Sequence, residues 1–219
     1  MLSLKEIDRL QGVFFEVLED TSKREYLLYL LCYIQLIRRD GRLSVRLDNF
    51  LRCASKNFLT TRNFWKDALV EINLFTITDL FGNVYKGKDI YKVNEEDINF
   101  ISVDNKYCKD INELASKVIR YWGIVNRLSY YGKSMTPYDA IHTSVLIFNE
   151  GLFEEIEYYS DLQKDRFKSE GNFFNALSNL STAFINYSKN RTTRAIHHMS
   201  VALEELSLLG EVYYGIDVK

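Results

Sequence analysis

Residues 38–75 read RRDGRLSVRLDNFLRCASKNFLTTRNFWKDALVEINLF. Eight basic side chains (Arg38, Arg39, Arg42, Arg46, Arg52, Lys56, Arg62, Lys66) and two acidic ones (Asp40, Asp48) lie between positions 38 and 66, a local balance of +6. The whole chain carries −2, so the remainder sums to −8. Gly41 stops a helix of about 23–39 that is apolar almost all round. Leu43 and Val45 suit a very short strand. Residues 46–55 then have helical spacing, with Leu47, Phe50, Leu51 and Ala54 inward. Asn57 is the expected turn. Thr60 or Thr61 caps a helix of about 61–73 whose apolar side is Phe64, Trp65, Ala68, Leu69 and Ile72. Positive charge on two helices joined by a tight turn is a physical argument for nucleic-acid binding.

Upstream, Leu4, Ile7, Leu10, Phe14 and Val17 recur at helical spacing and predict a first helix over 3–19. Thr21 or Ser22 can cap the helix that follows. Downstream, Leu74–Leu80 is rich in β-branched and aromatic residues, Phe81-Gly82-Asn83 is a turn signal, and Val84–Val93 can return as a second strand. Helices followed by a hairpin, over about residues 20–95, resemble the winged helix-turn-helix family. There the third helix ends in a pattern like Leu-x-x-Leu-x-x-x-Gly-Leu-Ile, matched here by the run from Phe64 to Phe75. Asn73 stands where that family has Gly, and Asn tolerates the left-handed conformation such a helix end needs.

The resemblance implies duplex DNA as partner. Thr61, Arg62, Asn63 and Lys66 would face base edges and phosphates, Arg42 and Arg46 would grip flanking phosphates, and Lys86 and Lys88 would sit at or near the wing. Transcription regulation is the familiar role of that arrangement. Asp67 and Glu71 on the same helix point the other way. Some winged helices bind proteins, so a protein–protein adaptor is the alternative.

Asp97–Lys109 is polar and suits a connector. A long helix of about 110–131 carries Ile111, Leu114, Val118, Tyr121, Val125 and Leu128 at near-heptad spacing. That seam either packs on its own chain or forms a dimer helix. Thr136 and Pro137 open a helix of 137–149, and three more are expected at about 152–168, 171–188 and 192–209. The run Phe148-Asn149-Glu150-Gly151-Leu152-Phe153-Glu154-Glu155-Ile156-Glu157 resembles the opening motif of the domain-of-unknown-function family 309. Phe173–Tyr187 and the ending Tyr214-Gly215-Ile216-Asp217-Val218 also resemble that family. The family's His corresponds to Ile156 and its second Glu to Glu157. Glu157 is retained, and any chemistry of that pair is put in doubt here by Ile156. The expected organisation is therefore mainly α. A winged helix-turn-helix spans 1–98, a connector and long helix 99–136, and an antiparallel helical bundle 137–219, the bundle serving dimerisation or partner docking.

Glu150, Glu154 and Glu157 share a helix face if the helix runs through Gly151, but acidic residues are ordinary at a helix start. Arg191 and His197 fit loosely the Arg-x4–6-His motif of the ribonucleases of the higher-eukaryote-and-prokaryote nucleotide-binding class. His142 stands alone among Ala140, Val145 and Ile147, as a packed or surface histidine does. There is no Gly-rich phosphate loop, Ser-His-Asp order or Cys-His metal spacing. The expectation is thus a non-enzyme without metal or cofactor.

Composition agrees with a globular chain: 47% hydrophobic and 26% charged residues, one proline, and no run approaching a membrane span. Lys5, Glu6, Asp8 and Arg9 argue against a secretory signal. Cys32, Cys53 and Cys108 are odd in number and widely spaced, which points to reduced thiols and a cytoplasmic protein without membrane partners.

Overall fold

The computed structural model describes residues 8–57, 65–104, 107, 110–128 and 133–218. It is mainly helical with a small antiparallel sheet, and it divides into two compact units, Met1–Asn126 and Arg127–Lys219.

The first unit opens with α1 (Arg9–Glu19), capped by Asp8, whose carboxylate accepts from the Gln11 amide at 3.0 Å. Its apolar spacing buries Leu10, Val13, Phe14, Val17 and Leu18. A 3-10 turn at Thr21–Arg24 leads into α2 (Glu25–Asp40), whose all-round apolar sequence is explained by burial of Leu27, Leu30 and Tyr33 at its centre. Gly41, at φ 65°, ends it in the left-handed conformation expected of glycine there. β1 (Ser44–Arg46) and α3 (Leu47–Asn57) follow directly. α4 (Trp65–Ile72) ends at Asn73, φ 48°, so Asn does adopt the left-handed turn. Arg9 caps that end: its Nε donates to the Ile72 carbonyl at 2.9 Å and a second nitrogen donates to the Glu71 carbonyl.

β2 (Phe75–Asp79), β3 (Val84–Lys86) and β4 (Ile98–Val103) complete a four-stranded antiparallel sheet of order β1-β4-β2-β3. Ile101 faces Val45 on one side and Ile77 on the other. The buried face continues into aromatic packing, with Phe75 edge-on to Tyr33 at 5.9 Å and to Phe50 at 5.7 Å. α5 (Ile111–Val125) is capped by Asp110 and joins the same core, Tyr121 stacking on Phe14 at 4.1 Å.

Three expectations change here. The return strand expected over 84–93 is only three residues, because Gly87 at φ 54° turns the chain into a 3-10 stretch at Gly87–Lys92. The supposed connector from Asp97 contains β4, the strand that pairs with both β1 and β2; Ile98, Ile101 and Val103 are buried, with Asn99, Phe100 and Ser102 between them. The long helix stops at Val125, and with β4 it belongs to the first unit rather than to a 99–136 linker. Its seam is consumed by that unit's core. Leu114, Val118, Tyr121 and Val125 are buried and Ile111 is half-buried, whereas Leu128 lies beyond the helix, in the second unit.

The second unit holds α6 (Pro137–Asn149), α7 (Phe153–Arg166), α8 (Gly171–Ser188) and α9 (Thr192–Ser207). Thr136 and Asp139 form a reciprocal capping box in front of α6, with Pro137 in the first turn. α8 is the centre, packing against α7 and α9. A final hairpin of β5 (Val212–Tyr213) and β6 (Ile216–Asp217) turns through Tyr214 and Gly215, both at positive φ, as a two-residue hairpin turn requires. Glu170 clasps it, accepting from the hydroxyls of Tyr213 and Tyr214.

Candidate nucleic-acid interface

The basic segment is built from the end of α2, β1 and α3. Arg38 and Arg39 occupy the last turn of α2, where cations complement the helix dipole. Arg39 donates to Asp40 at 2.7 Å, and that bond holds the Asp40 carboxyl below its ordinary value. Arg38, Arg42, Arg46, Arg52 and Lys56 are exposed. Arg46 lies 3.9 Å from Asp48, both side chains about two-thirds exposed, a geometry worth little in water. On α3, Leu47, Phe50, Leu51 and Ala54 turn inward and Arg52 and Lys56, four residues apart, share the outer face.

α4 is different. Thr61, Arg62 and Asn63, with the expected caps at 60 and 61, lie outside the described residues. Lys66 is half-buried, its Nζ donating to the Val93 carbonyl at 2.6 Å and standing 5.7 Å from the Trp65 ring. It fastens α4 to the segment beyond the hairpin. The acids of α4 are engaged as well. Tyr91 donates to Asp67 at 2.8 Å, and Tyr26 donates to Glu71, where Lys23 also approaches to 3.8 Å. Burial, and then the Glu71 carboxylate, push the Tyr26 hydroxyl's pKa up. Lys86 is paired with Asp104 across the sheet, and Lys88 is exposed on the 3-10 stretch.

The hairpin tip carries a feature that the turn signal alone did not reveal. Leu80, Phe81 and Val84 are strongly exposed, Phe81 at 82%. The tip is held by Asp79, whose carboxylate accepts from the amides of Phe81 and Asn83 at 2.9 and 2.8 Å, the Asn83 side chain at 2.8 Å and the Tyr85 hydroxyl at 3.0 Å. A cleft of about 490 Å³ lies beside it, lined by Arg46, Leu47, Asp48, Leu80, Glu95, Glu96, Ile98 and Asn99.

In the second unit, Glu150 pairs with Arg127, Glu154 is exposed and Glu155 is buried, so the acidic residues there are dispersed. Among the described residues no group of acids, His or Cys could hold a metal ion. His142 donates through Nε2 to the Tyr214 carbonyl at 3.0 Å and lies against Tyr138, a packed histidine. Arg191 and His197 are both exposed, while His198 donates to Asn179 at 3.0 Å. No described helix is long and apolar enough to cross a membrane.

The chain is 33% identical over 217 residues to an uncharacterized protein of Aquifex aeolicus (strain VF5), a match spanning 98% of this chain and 69% of that one. The two belong to one family. The match runs through both units, so their pairing in one polypeptide is a property that this family shares. No family model matches the chain, and no solved structure matches it.

Proposed function

We propose that the protein is a non-catalytic duplex DNA-binding protein whose first unit is a winged helix-turn-helix domain. The chain order α2-β1-α3-α4-β2-β3-β4, with β1 returning to pair beside the last strand, supports the winged reading. The observation that carries DNA binding is the exposed basic run Arg38, Arg42, Arg46, Arg52 and Lys56, with Asp40 and Asp48 inside it and Glu95 and Glu96 lining the cleft at its Arg46 end. Phosphates are its natural ligand, and their neutralisation releases counterions. The interface lies on α3 and the turn before it, with Lys88 as a more distant contact and Arg62 and Asn63 as the base readers. The test is fluorescence anisotropy with a labelled mixed-sequence duplex at several salt concentrations. Binding that weakens steeply with salt is expected, and absence of binding at low salt overturns the proposal.

A protein-adaptor reading is favoured by one specific feature, the hairpin tip. Its apolar side chains stand near exposed Glu95 and Glu96, a face that phosphate does not approach. A partner retained after nuclease treatment and lost on Phe81→Ser would carry that reading; a partner held equally by both proteins would end it.

A further inference from the structure

The hairpin tip is fastened to an acidic turn. The Leu80 amide donates to the Asp97 carbonyl at 2.8 Å, which sets the tip beside the 3-10 turn Glu95–Asp97. The cleft of about 490 Å³ at this place has two kinds of lining. Its apolar part is Leu47 and Ile98, both buried, and Leu80, which is exposed. Its charged part is three carboxylates, Asp48, Glu95 and Glu96, against one guanidinium, that of Arg46. We propose that this cleft receives a basic side chain, arginine or lysine, from a protein partner, with an apolar neighbour of that residue set against Phe81. The proposal rests on the adaptor reading of the tip and names the chemistry of its partner.

One amphipathic side chain satisfies both parts of the lining. The methylene stem of lysine or arginine covers apolar surface while its head stays at the polar edge. Here the stem would lie on Leu47, Leu80 and Ile98 and the head would reach the carboxylates. A wholly apolar ligand would strip water from those carboxylates and return nothing. A phosphate or an acidic segment would meet a lining whose net charge is already negative. Among the described residues no group suits a metal ion.

The site is also held ready. Asp79 ties the tip through the amides of Phe81 and Asn83, the Asn83 side chain and the Tyr85 hydroxyl, so Phe81 is presented without a further ordering cost. Its ring offers an apolar contact, or a face for a second cation. Arg46 is the one group in the lining that opposes a basic occupant.

The test selects binders to the full chain from a phage-displayed library of random linear peptides. The selected peptides should carry Arg or Lys beside an apolar residue. Fluorescence anisotropy with one of them should show binding about tenfold weaker to Glu95→Gln/Glu96→Gln, and weaker to Asp48→Asn. Binding to Arg46→Gln should be tighter, the opposite of the effect expected on DNA. Glu95 and Glu96 are exposed, and Glu95→Gln keeps an oxygen for the Trp65 indole, which donates to Glu95 at 3.4 Å, so melting should not change. Selection of no peptide, selection of peptides without a basic residue, or equal binding to the wild type and the Glu95→Gln/Glu96→Gln protein would each overturn the proposal. Peptides lost on Phe81→Ser but kept by Glu95→Gln/Glu96→Gln would overturn it and leave the adaptor reading standing; peptides indifferent to both would remove the two together.

Discussion

Replacing Arg52 and Lys56 together by alanine probes the proposed interface at its centre. Both side chains are exposed on the outer face of α3, and neither contributes to the buried set of Phe50, Leu51 and Ala54, so the fold should persist. Each phosphate contact contributes about −0.9 to the slope of log affinity against log salt. Loss of two contacts should flatten that slope by about 1.8 and weaken binding about 60-fold at ~0.1 M salt. Lys66→Met is the matched control. Lys66 is spent on the Val93 carbonyl, so its loss should leave the slope unchanged and instead cost about 1 kcal/mol of stability. Anisotropy titrations at several salt concentrations, with thermal melts of each protein, read both quantities. An unchanged slope in a folded Arg52→Ala/Lys56→Ala protein, or a Lys66→Met slope that flattens as much, refutes the assignment of the interface to α3.

Phe14→Ala should destabilise the first unit by about 3–5 kcal/mol, since it empties the fully buried position stacked on Tyr121; denaturant melts measure it. Asn73→Gly should leave the melting temperature equal or higher, whereas Asn73→Val should cost about 1–2 kcal/mol, because φ 48° suits glycine and opposes a branched side chain. Burial alone would raise the Asp79 pKa, but hydrogen bonds from Asn83, Tyr85 and Phe81 outweigh it and hold it below the ordinary value. A depressed folded-state pKa means that the contribution is complete above the unfolded value and is lost as pH falls through the folded one. Amide-exchange protection at Phe81 and Asn83 should therefore hold from neutral pH down to about pH 4 and collapse below it; protection lost well above that range would contradict the role of Asp79.

The helices were legible where a periodic apolar face coincided with a cap. Thr136, Pro137 and Asp139 mark the start of α6 and Gly41 the end of α2, and both boundaries lie within a residue of expectation. β4 was hidden because its inward residues are interleaved with Asn99, Phe100 and Ser102 beside the acidic run Glu95–Asp97, which reads locally as loop. Its strand character comes from two neighbours, β1 and β2, that lie far away in sequence. The final hairpin is similar. Two residues per strand carry no periodic signal, and the Glu170 clasp that holds them is more than forty positions distant.

Net charge located the basic segment but could not assign its members. Arg52 and Lys66 look alike as letters in a positive run. One lies on the outer face of a helix whose inner face is filled by Phe50 and Leu51, and the other is drawn beneath the hairpin segment by the Val93 carbonyl and the Trp65 ring. That distinction depends on where the chain returns after β3, which is set by the turn at Gly87 and the burial of Ile90 and Val93. The same reasoning separates the two apolar seams. The one on α5 met Phe14 within its own unit and is closed, whereas Ile196 and Leu203 on α9 stay exposed. Spacing marks a seam; what covers it is decided by the rest of the fold.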